Sequence, residues 1–358
     1  MKPTINSERN EFNQQVKPVS LWADAWKRLR KNRMALIGLW IVVLYSVITI
    51  AAPVLPINSH VAQELYHSNL PPSFRSAGLV AREKTENRLK EIEKLVLAGR
   101  DDLKKEYDTV KQDLGELNAD IAVNPVHDRV YILGTDNLGR DMLARTIYGG
   151  KISMMVGLIG TLVAVFLGII VGAVAGYAGG RLDNYLMRFV DIMYGMPYML
   201  IVIIMMAVFR KEGRSSIVIL FVAIALVSWL QIARVVRGQM ISLKNAEFVE
   251  AARSMGASSG RIIFRHLLPN TMGVIIIFAS LSLPSFIMSE SFLSFLGLGV
   301  SAPDASWGTL VSEGVKGMEL YPWNLLVPAI AMTIFLFAMN FLGDGLRDAL
   351  DPQSKNRT

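Results

Sequence analysis

Six apolar stretches, beginning near Met34, Ile152, Tyr185, Ser215, Thr271 and Trp323, alternate with polar segments along this chain. Each is long enough for the roughly 20 helical residues that cross a hydrocarbon core of about 30 Å, so the pattern predicts six spanning helices. Between the first two spans lies a polar segment, 56–150, whose most charged part, 79–120, has a different rhythm. There Leu89, Ile92 and Val96, then Leu103, Tyr107, Val110, Leu114 and Leu117, recur at helical spacing. Gly99 between the two sets suits a helix C-terminus with positive φ, and Asp101 or Asp102 suits the next N-cap. The spacing predicts an antiparallel helical hairpin whose apolar stripe faces its own second arm or a neighbouring subunit. A solvated single helix is the alternative.

Ahead of the first span, residues 1–19 are polar and expected to be disordered. Ser20 can cap a helix with Leu21, Trp22, Trp26 and Leu29 on one face and Lys27, Arg28 and Arg30 opposite. That pattern suits an interfacial helix or a plain extension of the span. No cleavable signal peptide is evident. The resulting map is a tail and interfacial helix at 1–33, a first span at 34–55, the polar segment 56–150, a core of five spans at 151–346 and a tail at 347–358. A polar loop, 246–269, lies within the core.

Composition fixes the class: 52% hydrophobic residues, 19% charged and a mean hydropathy of +0.37 describe an all-α integral membrane protein. His60, His67, His127 and His266 fall outside the apolar runs and there is no cysteine, so no metal site is expected. Lys27, Arg28, Arg30, Lys31 and Arg33 place the N-terminus in the cytosol, and alternation places Arg181, Arg188, Arg234 to Arg265 and the C-terminus there too. The short loop with Arg210, Lys211 and Arg214 runs against this bias. The net charge of +7 is spread beside membrane ends, not gathered into a nucleic-acid patch.

Within the second span Gly160, Ala164, Gly168, Gly172, Gly176 and Gly180 recur every fourth residue, which predicts close helix packing. The third carries Asp183, Arg188 and Asp191 and then Gly195-Met196-Pro197, where the proline predicts a kink. In the fifth, Glu290 stands in an apolar run with Ser291 and Ser294 beside it. It is a candidate pathway or gate residue, or a carboxylate snorkelling to the interface. Gly134 to Asp141 reads as a turn launching a helix, with Asp136 or Asn137 as N-cap and Arg140, Asp141 and Arg145 paired on its surface. Gly149-Gly150-Lys151-Ile152 lacks the first glycine and the final Ser/Thr of a nucleotide-binding loop, and no nucleophile triad appears, so no catalysis is expected of this chain.

The polar loop contains Glu250-Ala251-Ala252, Gly256 and Leu268-Pro269, which resembles the Glu-Ala-Ala loop of ABC importer permeases, with His266 where the general pattern has Ile. Gly134 to Asp141, Leu293 to Gly299, Ser306-Trp307-Gly308 and Asn340 to Pro352 are similar to the C-type permease of the dipeptide, oligopeptide and nickel subgroup. The charged hairpin, about 75–124, looks like an insertion. The resemblance implies a type I permease fold of six spans in a bacterial inner membrane. It also implies a homologous second permease, two cytosolic ATPases that bind ATP and Mg, and an extracytoplasmic substrate-binding protein. No cofactor is implied on this chain. In that family the loop docks on an ATPase; here Glu247 and Glu250 would offer charge, Ala251 and Ala252 close approach, and Gly256 the bend. Peptides are the implied cargo, with nickel complexes or another small solute as the alternative. A secondary transporter or channel, and a receptor-like protein docking through the hairpin, are the readings from other classes.

Overall fold

The computed structural model describes residues 21–209 and 216–350. The expected disorder of 1–19, the Ser20 cap, the faces of Leu21 and Trp22, the basic loop at Arg210, Lys211 and Arg214, and the tail beyond 350 lie outside the described residues. Among those described, the regular elements are helices, accompanied by two isolated β-bridges.

Helix α1 (Leu21–Leu29) leads into α2 (Arg33–Ala51), which starts at Asn32, whose side chain accepts from the Ala35 amide. Leu29 and Ala25 of α1 pack on Leu346 and Ala349 at the far end of the chain, while Trp26 is exposed. The hairpin is present as α3 (Ala77–Leu97) and α4 (Lys104–Ile121). Then come α5 (Met142–Ala178), α6 (Gly180–Gly195), α7 (Tyr198–Phe209), α8 (Ser216–Leu243), α9 (Glu247–Ser254), α10 (Ser259–Ile262), α11 (Leu268–Phe295), α12 (Trp307–Val315) and α13 (Trp323–Leu350). Five helical stretches are long and apolar enough to cross a membrane, and α6 with α7 makes a sixth if the bent pair is one span.

One expectation is met and one changes. The helix launched after the Gly134–Asp141 turn is present and runs unbroken into the second span as α5, whose 37 residues rise about 55 Å at 1.5 Å each, well beyond the hydrocarbon core. The kink in the third span is a break of 83°. Met196, extended at φ −87° and ψ 138°, precedes Pro197, and a residue before proline is pushed out of the helical region.

α5 and α8 form the centre of the bundle. A Cβ at Gly168 would stand 2.6 Å from the Ile232 side chain, at Gly172 2.5 Å from the Ala233 carbonyl oxygen, and at Gly176 2.6 Å from Met240 Cβ. Gly160 faces α11 instead, 3.0 Å from Phe286 by the same measure. One face of the bundle carries the hairpin and α12; the opposite face carries α1, α9 and α10.

In the hairpin, Ile92 and Val110 are buried, and Ala77, Val80, Ala81, Leu117, Leu70 and Tyr131 share one apolar cluster, so the stripe faces the second arm and the base beneath it. Arg88 reaches across to Glu106 at 2.8 Å. Gly99 has φ +96°, but neither Asp101 nor Asp102 caps α4: Asp102 pairs with Arg100 and Asp101 with Lys104.

The base holds a feature that spacing did not announce. His67 and His127, both buried, face each other at 2.8 Å, with Asp120 2.8 Å from the outer nitrogen of His127 and the Tyr131 hydroxyl 3.2 Å from the far nitrogen of His67. One set of tautomers satisfies every link: Tyr131 donates to His67, His67 to His127, and His127 to the Asp120 carboxylate. Burial, and then the neighbouring His127, pull the His67 imidazole from 6.5 to about 4. Because the unfolded chain takes up this proton first, the stability from neutral His67 is complete above about pH 6.5, falls as pH drops, and is gone below about 4. The protection factors of the amides of Val126, His127 and Asp128 and of the end of α4, taken relative to intrinsic exchange at each pH, are expected to fall across that window, and H67F to flatten the response.

Candidate functional site

The Glu-Ala-Ala segment forms α9 on the opposite face. Val249 and Ala252 are buried beneath it, while Glu247, Phe248, Glu250 and Ala251 are exposed. Of the two alanines, then, Ala251 is at the surface and Ala252 packs internally. α9 ends in a paired cap: the Ala257 amide donates to the Ala252 carbonyl and the Gly256 amide to that of Arg253, each at 3.0 Å. Gly256 holds φ +79°, and no atom lies within 4 Å of where its Cβ would be, so its requirement is backbone conformation and not space.

Beyond α10 the helix widens into a π-turn, Ile263–Leu267, before Pro269. The proline ring clashes with the carbonyl four residues back in an ordinary α-helix, and the wider turn relieves that crowding. The Leu268 amide donates to the Ile263 carbonyl, and the Asn270 side chain donates to the His266 carbonyl at 2.6 Å. Leu268 is half-buried and Pro269 exposed. Met255 and Phe264 are also strongly exposed, so the surface around α9 is apolar as well as charged.

A groove of about 610 Å³ opens among the α6/α7 break, α8 and α11. Its polar wall consists of Ser282, Ser285 and Ser289 of α11, Ser228 and Gln231 of α8, and Tyr194 and Tyr198 flanking the break. Among the described residues, no carboxylate, imidazole, ammonium or guanidinium lines it. Each serine hydroxyl donates to a carbonyl of its own helix: Ser282 to Phe278 at 2.7 Å, Ser285 to Leu281 at 3.2 Å, Ser289 to Ser285 at 2.9 Å, and Ser228 to Ile224.

Glu290, Ser291 and Ser294 stand elsewhere. Glu290 is fully buried and accepts from Ser294 at 2.6 Å, from Ser306 at 2.5 Å and from Ser153 at 3.4 Å. Ser153 also accepts from the Trp307 amide at 3.1 Å, and Ser306 caps α12, so this carboxylate joins α5, α11 and α12 and does not snorkel. Ser291 lies against Gly308, where an added Cβ would be 2.4 Å from its Cα. The Gly149-Gly150 pair has a packing reason as well: a Cβ at Gly150 would be 2.7 Å from the Trp307 ring.

Arg140, Asp141 and Arg145, expected to pair on a helix surface, are buried, and so is Asp136. Asp136 accepts from Arg140 at 2.6 Å and from Arg145 at 2.5 Å, and Arg145 donates onward to Glu313 of α12 at 2.9 Å. The N-cap of α5 is Asp141, not Asp136 or Asn137; it accepts from the Leu143 amide and from Asn58, both at 2.8 Å. Burial raises the Asp141 carboxyl above its usual range against those bonds.

Comparison with known proteins gives a consistent answer. Residues 142–356 match the family of binding-protein-dependent transport system inner membrane components, and residues 20–72 match the N-terminal TM domain of oligopeptide transport permease C. The dipeptide transport system permease protein DppC of Bacillus subtilis is 39% identical over 352 residues, 98% of this chain and 92% of its own. The oligopeptide transport system permease protein OppC of Escherichia coli K12 is 38% identical, covering 95% and 94%. OppC of Haemophilus influenzae is 47% identical over 64% of this chain and 73% of its own.

The buried charge network makes a sharp contrast testable. D136N leaves two buried guanidiniums short of a counter-charge, and thermal unfolding of the detergent-solubilised protein is expected to show a loss of about 3–5 kcal/mol. E313Q removes a carboxylate that is 46% exposed, and the same measurement is expected to show about 1 kcal/mol or less.

Proposed function

The chain belongs to the family of binding-protein-dependent transport system inner membrane components, and from that premise we propose that it is a permease subunit of an ATP-driven peptide importer. The observation that carries this reading is α9: a short, exposed helix with Glu247, Phe248, Glu250 and Ala251 outward, anchored from beneath by Val249 and Ala252 and turned by Gly256. It leads at one end from α8 and at the other, through the π-turn, into α11, two of the helices that wall the groove. Displacing it displaces them.

In this reading the opposite face is cytosolic with both termini, and the hairpin face is extracytoplasmic. Glu247 and Glu250 meet a basic rim on a partner ATPase, while Phe248, Met255 and Phe264 supply apolar contact. Leu268 and Pro269 form the joint by which the loop enters α11. Two ATPases bind ATP and Mg and perform the hydrolysis. A homologous permease completes the pathway across the groove, and a binding protein delivers cargo at the hairpin face. Ser285 and Ser289 line the route; Glu290, with Ser291 and Ser294, holds the helices that frame it. Peptide cargo is supported by the dipeptide and oligopeptide names of the relatives. Among the described residues the groove has no carboxylate or imidazole, which disfavours an ion-coupled secondary transporter.

The natural chain has no cysteine, so single-cysteine variants report position directly. Cysteine at Phe248 or Ala251 is expected to crosslink to an ATPase in intact membranes, and cysteine at Ala252 not to. If neither exposed site ever captures one, the reading fails. G256A places an L-residue in left-handed backbone at a cost of about 1–2 kcal/mol, and is expected to lower uptake per ATP hydrolysed while leaving the protein inserted.

A further inference from the structure

The groove has a mechanical connection to α9 that the loop itself does not provide. α8 meets α6 through two arginines one turn apart. Arg237 makes a two-pronged pair with Asp183, at 2.6 and 2.7 Å. Arg234 donates to Asp191 at 2.6 Å and lays its guanidinium 4.2 Å from the centre of the Tyr194 ring. Tyr194 is a wall of the groove.

The two rungs differ in strength. Asp183 is 11% exposed and its pair with Arg237 is bidentate, the geometry in which a charged hydrogen bond is strongest. Asp191 and Arg234 are 57% and 40% exposed, and an ion pair in such surroundings is weak and easily exchanged for water. The carboxylates are eight residues apart on α6, about 12 Å, whereas the arginines are three apart on α8, about 4.5 Å, so together they fix the orientation of α6 and not merely its position. Behind them α8 is held backbone to backbone on α5, where Gly176 leaves only 2.7 Å between a would-be Cβ and the Arg237 carbonyl oxygen.

We propose that Arg237 and Arg234 are positioning residues for transport: Arg237–Asp183 is the pivot on which α6 turns, and Arg234, through Asp191 and Tyr194, is the latch that sets the groove wall according to where α9 has carried α8. This rests on the reading of α9 as the ATPase contact and of the groove as the route. A pull on α9 acts on the cytosolic end of α8, tilts both arginines, and loads the weaker rung first. Tyr194 then leaves or regains its place.

The test uses the complete transporter, permease pair with ATPases, reconstituted in liposomes with its binding protein, measuring cargo uptake per ATP hydrolysed. R237D and D183R alone are each expected to lower that ratio by about tenfold, within the span of ordinary coupling energies, and the exchange D183R/R237D to recover most of it. R234K keeps the charge but loses the planar contact with Tyr194. It is expected to lower the ratio with the ATPase still bound and turning over, and Y194L to do the same. A merely structural role would reduce the amount of assembled complex and leave the ratio per complex unchanged. The proposal is overturned if the exchange is no better than the single changes, or if R234K and Y194L keep the parental ratio. A parental complex without ATP-driven uptake would overturn the underlying reading itself.

Discussion

In hydrocarbon no water drives apolar helices together, so α5 and α8 hold as closely as their backbones can approach, and that approach decides much of the remaining structure. Gly168, Gly172 and Gly176 remove the side chains that would keep the axes apart. With α8 seated against α5 along this line, its other faces are free for the groove and for α6. Any side chain on that column would move α8 outward, and every contact made by Arg234, Arg237, Ser228 and Gln231 would move with it.

A second kind of fastening operates at the hairpin face, where polar groups are withdrawn from water and satisfied almost entirely by one another. Asp136 with its two arginines, extended through Arg145 to Glu313, Glu290 with its three serines, and the His67–His127 pair each join segments distant in sequence. Such networks are sensitive to the loss of any member, because the remaining groups stay buried without partners. They make that face rigid. The opposite face has fewer such networks: one two-pronged pair, Arg237–Asp183, beside the exposed Arg234–Asp191 pair and a short helix seated on two small apolar side chains.

Much of this was legible in the chain. The six apolar runs and the hairpin with its Gly99 turn follow from periodicity, and the third span's interruption follows from Pro197. Its 83° angle does not, since a proline says where a helix stops but not where the next one goes. The start of α5 was legible in the Gly134–Asp141 turn, but its unbroken run into the second span was not, because charged residues such as Arg145 and Lys151 read as the end of a span although a helix continues outside lipid. Long-range partners were invisible: Arg145 and Glu313 lie 168 residues apart, and His67 and His127 60 apart. Ala251 and Ala252 carry the same side chain, so only the turn of α9 distinguishes the outer from the inner. Glu290 drew attention as a lone acid, while the neighbouring serines of the groove, carrying no charge, did not.

Those serines have one more consequence. Because each serine hydroxyl proton is already committed to a carbonyl of its own helix, what these serines offer outward is oxygen lone pairs spaced a turn or two apart, beside the N–H and O–H groups of Gln231, Tyr194 and Tyr198. If the groove is the route we propose, a solute rich in amide hydrogens would meet there a row of similar, uncharged acceptors and no single charged anchor.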